Sequence, residues 1–267
     1  ISFKKAFEEV QARWNKVTEN AEKAVEKLMA NIKGAETICH AFSKDPVNLS
    51  TGNFIYDRTD LEVGGREPFV FRRFYNAIND RSGVLGKDWN HNYEVHLEFT
   101  DGEAVLLRED GKEERFFWEK DRYLSLFASE GTLEKAEDGY TYRTREQKVY
   151  RFDREGMCLE TETLLGGRVT FTYETEAPFR LVKAEKDTGE FFSFSYDAEG
   201  KLERVEDHTG RSLSYKYQGG LLKEVTLPDG NTFRYGYTPQ GKLEHVENQR
   251  GIVTVENFFD EEHRTTL

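Results

Sequence analysis

From the middle of the chain onward glycines recur every ten or eleven residues, at Gly189, Gly200, Gly210, Gly220, Gly230, Gly241 and Gly251. Each interval holds one strand and one turn, and two intervals make a unit of about twenty residues, the length of a structural repeat. The units match in sequence. Phe192-Ser193-Phe194-Ser195-Tyr196-Asp197-Ala198-Glu199-Gly200-Lys201-Leu202 aligns with Leu213-Ser214-Tyr215-Lys216-Tyr217-Gln218-Gly219-Gly220-Leu221-Leu222, and again with Phe233-Arg234-Tyr235-Gly236-Tyr237-Thr238-Pro239-Gln240-Gly241-Lys242-Leu243. Large apolar residues at alternate positions place the rings on one face of a strand and the small or charged side chains on the other. The return halves, such as Lys201–Val205 and Lys242–Val246, end at Asp207-His208-Thr209-Gly210 or at another glycine turn. The unit is therefore a β-hairpin. Weaker copies begin at Val149 and Arg168. The last hairpin runs from Gly251 through Phe258-Phe259-Asp260 to Leu267 without a cap, which predicts an array that continues in the native protein.

Two other regions precede the array. Phe3, Phe7, Val10, Trp14, Val17, Ala21, Val25, Leu28 and Ile32 fall at steps of three and four among Glu and Lys. This predicts an amphipathic helix over 1–34, stopped by Gly34, whose stripe packs on the β region or on a neighbouring helix. The second region, 44–99, has fixed points at Asp45-Pro46-Val47, Ser50-Thr51-Gly52-Asn53-Phe54 and Gly86-Lys87-Asp88-Trp89-Asn90-His91-Asn92-Tyr93. Strand alternation appears in Phe69–Tyr75 and Tyr93–Phe99. The expected organisation is a helix over 1–34, an opening domain over 44–99 and hairpin repeats over 100–267. The fold class is mainly β, a curved antiparallel sheet of repeated hairpins that forms part of a shell. Its stability is expected from aromatic and aliphatic burial between neighbouring hairpins.

Composition narrows the function. With 20 Phe, 13 Tyr, 22 Gly and 5 Pro, the chain suits many strands joined by glycine turns. A net charge of -12 argues against nucleic-acid binding, which needs a basic face. Arg66, Arg72 and Arg73 sit among Glu62 and Glu67 and read as ordinary solvated charge. Cys39 and Cys158 are too few for a disulfide framework and lack zinc-site spacing; a single bridge between them stays open. No run of about 18 apolar residues is present to span a membrane as a helix. The chain starts at Ile1 with no signal-peptide pattern, and is expected to be a piece of a longer protein.

No catalytic, cofactor or metal site is expected, and the chain reads as a non-enzyme. Asp88, His91 and His96 resemble a metal cluster only superficially, because the two histidines differ by an odd number of positions and would face opposite ways on one strand. The Trp89-Asn90-His91-Asn92 segment reads as a hydrogen-bonded turn. Glu113 with Glu114, or Asp229 near Glu224, could supply the two carboxylates of a glycosidase, but pairs arise by chance in so acidic a chain, and turn geometry explains Asp and Glu where they fall at turns. Phosphate loops, nucleophile elbows and metalloprotease helix motifs do not occur. The aromatic rows could instead stack on sugar rings, which makes a cell-surface carbohydrate-binding or adhesion module the alternative reading.

Tyr196-Asp197-Ala198-Glu199-Gly200-Lys201-Leu202 with Thr209-Gly210-Arg211 resembles the YD repeat of bacterial Rhs proteins, wall-associated toxins of Gram-positive bacteria and animal teneurins. Asp45–Phe54 and Leu85–Tyr93 are similar to the domain that opens the repeat region of Rhs proteins. Gln218 and Thr238 stand where the repeat usually has Asp, so those turns should use other hydrogen bonds. The resemblance implies a β-ribbon spiralling into a hollow shell around a C-terminal toxin segment of the same parent chain. It also implies secretion or display at the bacterial surface and delivery in interbacterial competition. The implied partner is that toxin, or cell-wall glycan on the alternative reading, with no cofactor. The net charge further suggests an acidic inner wall that holds a basic toxin.

Overall fold

The computed structural model describes residues 53–65, 67–100, 102–125 and 131–259, with short strands at 47–48 and 265–266. Residues 1–34, where the amphipathic helix is expected, lie outside them, as do Cys39 and Arg66. The described residues are strands and turns throughout, with no helix.

Three pieces follow one another. In the opening ribbon, Asn53–Val63 pairs antiparallel with Phe69–Asn76, which pairs in turn with Trp89–His91. A four-stranded meander follows, built from His96–Thr100, Glu103–Leu107, Glu113–Glu119 and Arg122–Ser125. The rest is a thirteen-stranded antiparallel sheet from Gly131–Ala136 to Val253–Glu256 whose spatial order is the chain order. Every connection within that sheet is a hairpin, as the short glycine interval requires.

One turn recurs along the sheet. The Gly200 N–H donates to the Asp197 carbonyl at 3.0 Å and the Asp197 N–H donates to the Lys201 carbonyl at 2.8 Å, while Gly200 sits at φ 79°. The same bonds close Asp207–Arg211, Leu227–Asn231, Thr238–Lys242 and Asn248–Ile252. This is a type I turn finished by a left-handed residue, a position where a side chain would be strained. Asp197 Oδ1 accepts from the N–H groups of Glu199 and Lys201. Where Asp is replaced, the bonding changes as expected. Thr238 Oγ1 accepts from Lys242 N–H at 3.2 Å, and Gln218 leads into a two-residue reversal with Gly219 at φ 60° and Gly220 at φ 76°. Positive φ at both central residues is the type I′ turn, which matches the twist of the flanking strands.

A second device joins each hairpin to the one before. The ladder register shifts where Tyr173 meets Leu181, Tyr196 meets Leu202, Tyr217 meets Leu222 and Tyr237 meets Leu243. Such a bulge disturbs the regular pairing of backbone groups. The next tyrosine along the chain supplies a donor there. Tyr196 OH donates to the Leu181 carbonyl and Tyr217 OH to that of Leu202, both at 2.7 Å, and Tyr237 OH donates to that of Leu222 at 2.6 Å. At Leu243 the repeat carries no tyrosine, and the Asn257 side-chain amide donates instead at 2.8 Å.

The burial differs from the expectation of hairpins packing mainly on their neighbours. Phe192, Phe194, Leu213, Tyr215 and Tyr235 of the repeats form one core with Phe54, Phe69, Phe71, Tyr75, Trp89 and Tyr93 of the opening ribbon. A row of rings on a single sheet has no partner of its own, and the ribbon lies across it. A second core joins the meander, through Leu97, Leu106 and Phe116, to the first strands of the large sheet, through Tyr142, Tyr150 and Phe152.

Candidate functional site

The densest polar chemistry lies where the ribbon docks on the repeats. Phe69, Phe71, Arg73 and Tyr75 occupy alternate positions of one strand and are all buried. Arg73 is thus no solvated charge, correcting the reading from sequence, whereas Arg72 on the opposite face is exposed and pairs with Asp57. The register of the partner strand shifts between Thr59 and Leu61, and Asp60 turns inward at that bulge. Arg73 Nε and Nη2 both bond the Asp60 carboxylate, and Nη2 also donates to Tyr235 OH at 2.9 Å. The guanidinium lies 5.0 Å from the Trp89 ring and 5.4 Å from that of Tyr235. Burial alone would favour the neutral form, but Asp60, aided by the Tyr235 and Tyr215 hydroxyls, holds Arg73 well above its usual range.

Around this pair the two pieces exchange hydrogen bonds. Trp89 Nε1 donates to Tyr237 OH at 3.0 Å, and the Leu243 N–H donates to Tyr75 OH at 2.9 Å. Cations at the repeat turns reach carbonyls of the ribbon: Lys186 to Glu67, Lys201 to Gly83 and Arg211 to Glu62, each at 2.8 Å, and Lys242 to Ala77. Lys201, Arg211 and Lys242 each directly follow a turn glycine. Lys242 Nζ also pairs with Asp88 at 3.1 Å; burial raises Asp88 above the usual carboxylate range and Lys242 opposes the shift.

The metal-like trio is dispersed. Asp88 serves Lys242, His91 is buried in the ribbon, and His96 begins the meander beside Glu98 at 3.4 Å. No group of three metal-ligating residues converges among the described residues. The Trp89–Asn92 segment is a strand that runs into a turn. Asn92 accepts from the Arg72 N–H and donates to the Val70 carbonyl.

Glu113 and Glu114 lie on a strand. Glu113 bonds Arg81 and Arg115; Glu114 bonds Arg108 and Tyr142. Asp229 binds Asn231 within its turn, while Glu224 pairs with Lys216. Strand carboxylates on the uncovered face of the repeats alternate with bases, as in Lys183–Glu185, Arg204–Glu206 and Lys216–Glu224. That face of the repeats thus carries charges of both signs. The rings of Phe192, Phe194, Tyr215 and Tyr235, candidates for sugar stacking, are covered by the ribbon. Cys158 is a buried free cysteine.

Sequence reasoning missed Arg73, Asp60 and the cations after the turns. For Arg73 a signal was present: it occupies the same alternate row as Phe69, Phe71 and Tyr75. Asp60 carried no such signal, because a bulge changes the phase of its strand.

A family model described as a domain of unknown function, DUF6531, matches residues 44–116. The chain is 28% identical over 211 residues to the probable deoxyribonuclease RhsB of Dickeya dadantii (strain 3937), covering 76% of this chain and 13% of that protein. It is 28% identical over 116 residues to the tRNA nuclease WapA of Bacillus subtilis (strain 168), covering 43% of this chain and 5% of that protein. With the double-stranded DNA deaminase toxin A of Burkholderia cenocepacia (strain H111) it shares 25% identity over 192 residues, 68% of this chain and 12% of that one. A solved structure titled "Crystal Structure of TcdB2-TccC3-TEV" aligns with 73% of this chain and 15% of its own at 12% identity and a TM-score of 0.25. The chain therefore spans a small fraction of the length of the relatives it matches.

Proposed function

The chain belongs to the Rhs/YD-repeat proteins, and from that premise we propose that it is a scaffold segment, part of a β wall that encloses a C-terminal toxin of the same parent chain. The observation that supports this reading most is the thirteen-stranded sheet, in which three successive hairpins are each tied to the previous one through a tyrosine and the ribbon closes one face. Such a sheet grows by adding hairpins without changing those already placed. Charged and aromatic side chains at the docking face are committed to packing and hydrogen bonds, the work of a wall. The nuclease and deaminase activities in the names of the relatives belong, on this reading, to the parts of those proteins that this segment does not match. Secretion or surface display and a role in competition between bacteria follow from the same premise.

The test is the full-length parent with its C-terminal segment, examined by electron microscopy and limited proteolysis. A hollow particle whose C-terminal segment resists protease until the wall is denatured supports the scaffold. An elongated rod with that segment open to protease would overturn it.

A further inference from the structure

His91 sits inside the docking face at 1% exposure, where burial disfavours a charged ring. The ring stacks on Phe194 of the repeats, with centroids 5.8 Å apart and planes at 15°, and packs 5.2 Å from Phe71 of the ribbon. Nδ1 accepts the Tyr93 N–H at 3.2 Å, so the ring hydrogen resides on Nε2. The residue paired with His91 across the strands is Arg73, which is cationic and already matched to Asp60. Among the described residues, Glu94 is the acidic group beside the ring: its Oε2 accepts the His91 backbone N–H at 2.9 Å and lies 4.0 Å from Nε2. From the repeat sheet, Tyr196 and Tyr217 interact electrostatically with Glu94, and Tyr215 with Arg73.

We propose that His91 is an acid-sensitive latch, and that protonation of its ring loosens the opening ribbon from the repeat sheet. A second ring proton takes away the acceptor used by Tyr93. It also places a charge between Phe71 and Phe194 and makes a cation of the residue that pairs across the strands with Arg73. Undocking the Trp89–Tyr93 segment relieves all three by hydrating the ring. Burial holds His91 below its ordinary value of 6.5, against the pull of Glu94. A depressed histidine contributes docking stability in full above 6.5, and that contribution is lost as pH falls through 6.5 towards the folded value. Asp88, shifted upward by burial, acts in the opposite sense, since its protonation favours the docked state.

The experiment is hydrogen exchange by mass spectrometry on the whole 267-residue chain between about pH 7.5 and about pH 5, corrected for the intrinsic pH dependence of exchange. Segments 69–76, 89–95 and 191–196 should lose protection together below 6.5, by up to about tenfold for each pH step of one. His91→Asn keeps an acceptor near the Nδ1 position and cannot titrate, so it should remove this acid response. Glu94→Gln should enlarge the response, because it removes the charge that favours the protonated ring. An unchanged response in His91→Asn would overturn the latch. If that variant does not fold, an unchanged or smaller response in Glu94→Gln would do so, as would an NMR titration placing folded His91 at or above 6.5.

Discussion

At the scale of single residues, the tyrosine of each repeat has two roles that the sequence shows as one letter. Its ring belongs to the apolar row, and its hydroxyl serves a carbonyl fifteen residues upstream, as in Tyr217 to Leu202 and Tyr237 to Leu222. Tyr217→Phe should keep the ring packing and lose the bond, costing about 1 kcal/mol in denaturant unfolding. Tyr237→Phe should cost more, about 2 kcal/mol, because it also leaves the Trp89 Nε1 donor without its partner. Equal effects would mean that the Trp89 bond adds nothing. The ring row was legible from alternation alone. The hydroxyl partner was not, because the carbonyl it serves belongs to another hairpin and is defined by a bulge that leaves no mark in the composition of either strand.

At the scale of elements, the glycine interval was the most informative feature, since each glycine marks a left-handed backbone position at a strand reversal. The interval does not distinguish the two turns used. Gly200, Gly210, Gly230, Gly241 and Gly251 each end a type I turn, whereas Gly220 follows Gly219 in a type I′ pair. A Cβ at Gly219 or Gly220 would meet nothing within 4 Å, so substitution there tests backbone conformation alone. Gly220→Ala should cost about 1 kcal/mol, while Gly219→Asn, which tolerates the left-handed region, should change stability by only a few tenths of that. Thermal denaturation of the two variants side by side checks the ranking. Elements also explain the missed acid: the bulge at Thr59–Leu61 turns Asp60 into the interface. A strict period of two cannot foresee that change.

On the scale of the whole molecule, the ribbon and the repeats share one core, so they should unfold together in a single transition. The Arg73–Asp60 pair tests that coupling. Arg73→Met leaves Asp60 buried without its main partner and should destabilise the chain by about 3–5 kcal/mol, whereas adding Asp60→Leu should recover much of that loss. A biphasic denaturation curve in the wild-type chain would show that the two pieces are independent. Sequence alone determined the class of this protein: strand alternation, the turn glycines and the matched hairpins together specify an antiparallel sheet of repeats, because each of these signals acts within about twenty residues. Only the tertiary structure decided what covers the ring row, which charges are buried, and where the turn cations reach. Those contacts join residues as far apart as Arg73 and Tyr235, and a local pattern in a chain carries no record of which distant segment will lie across it.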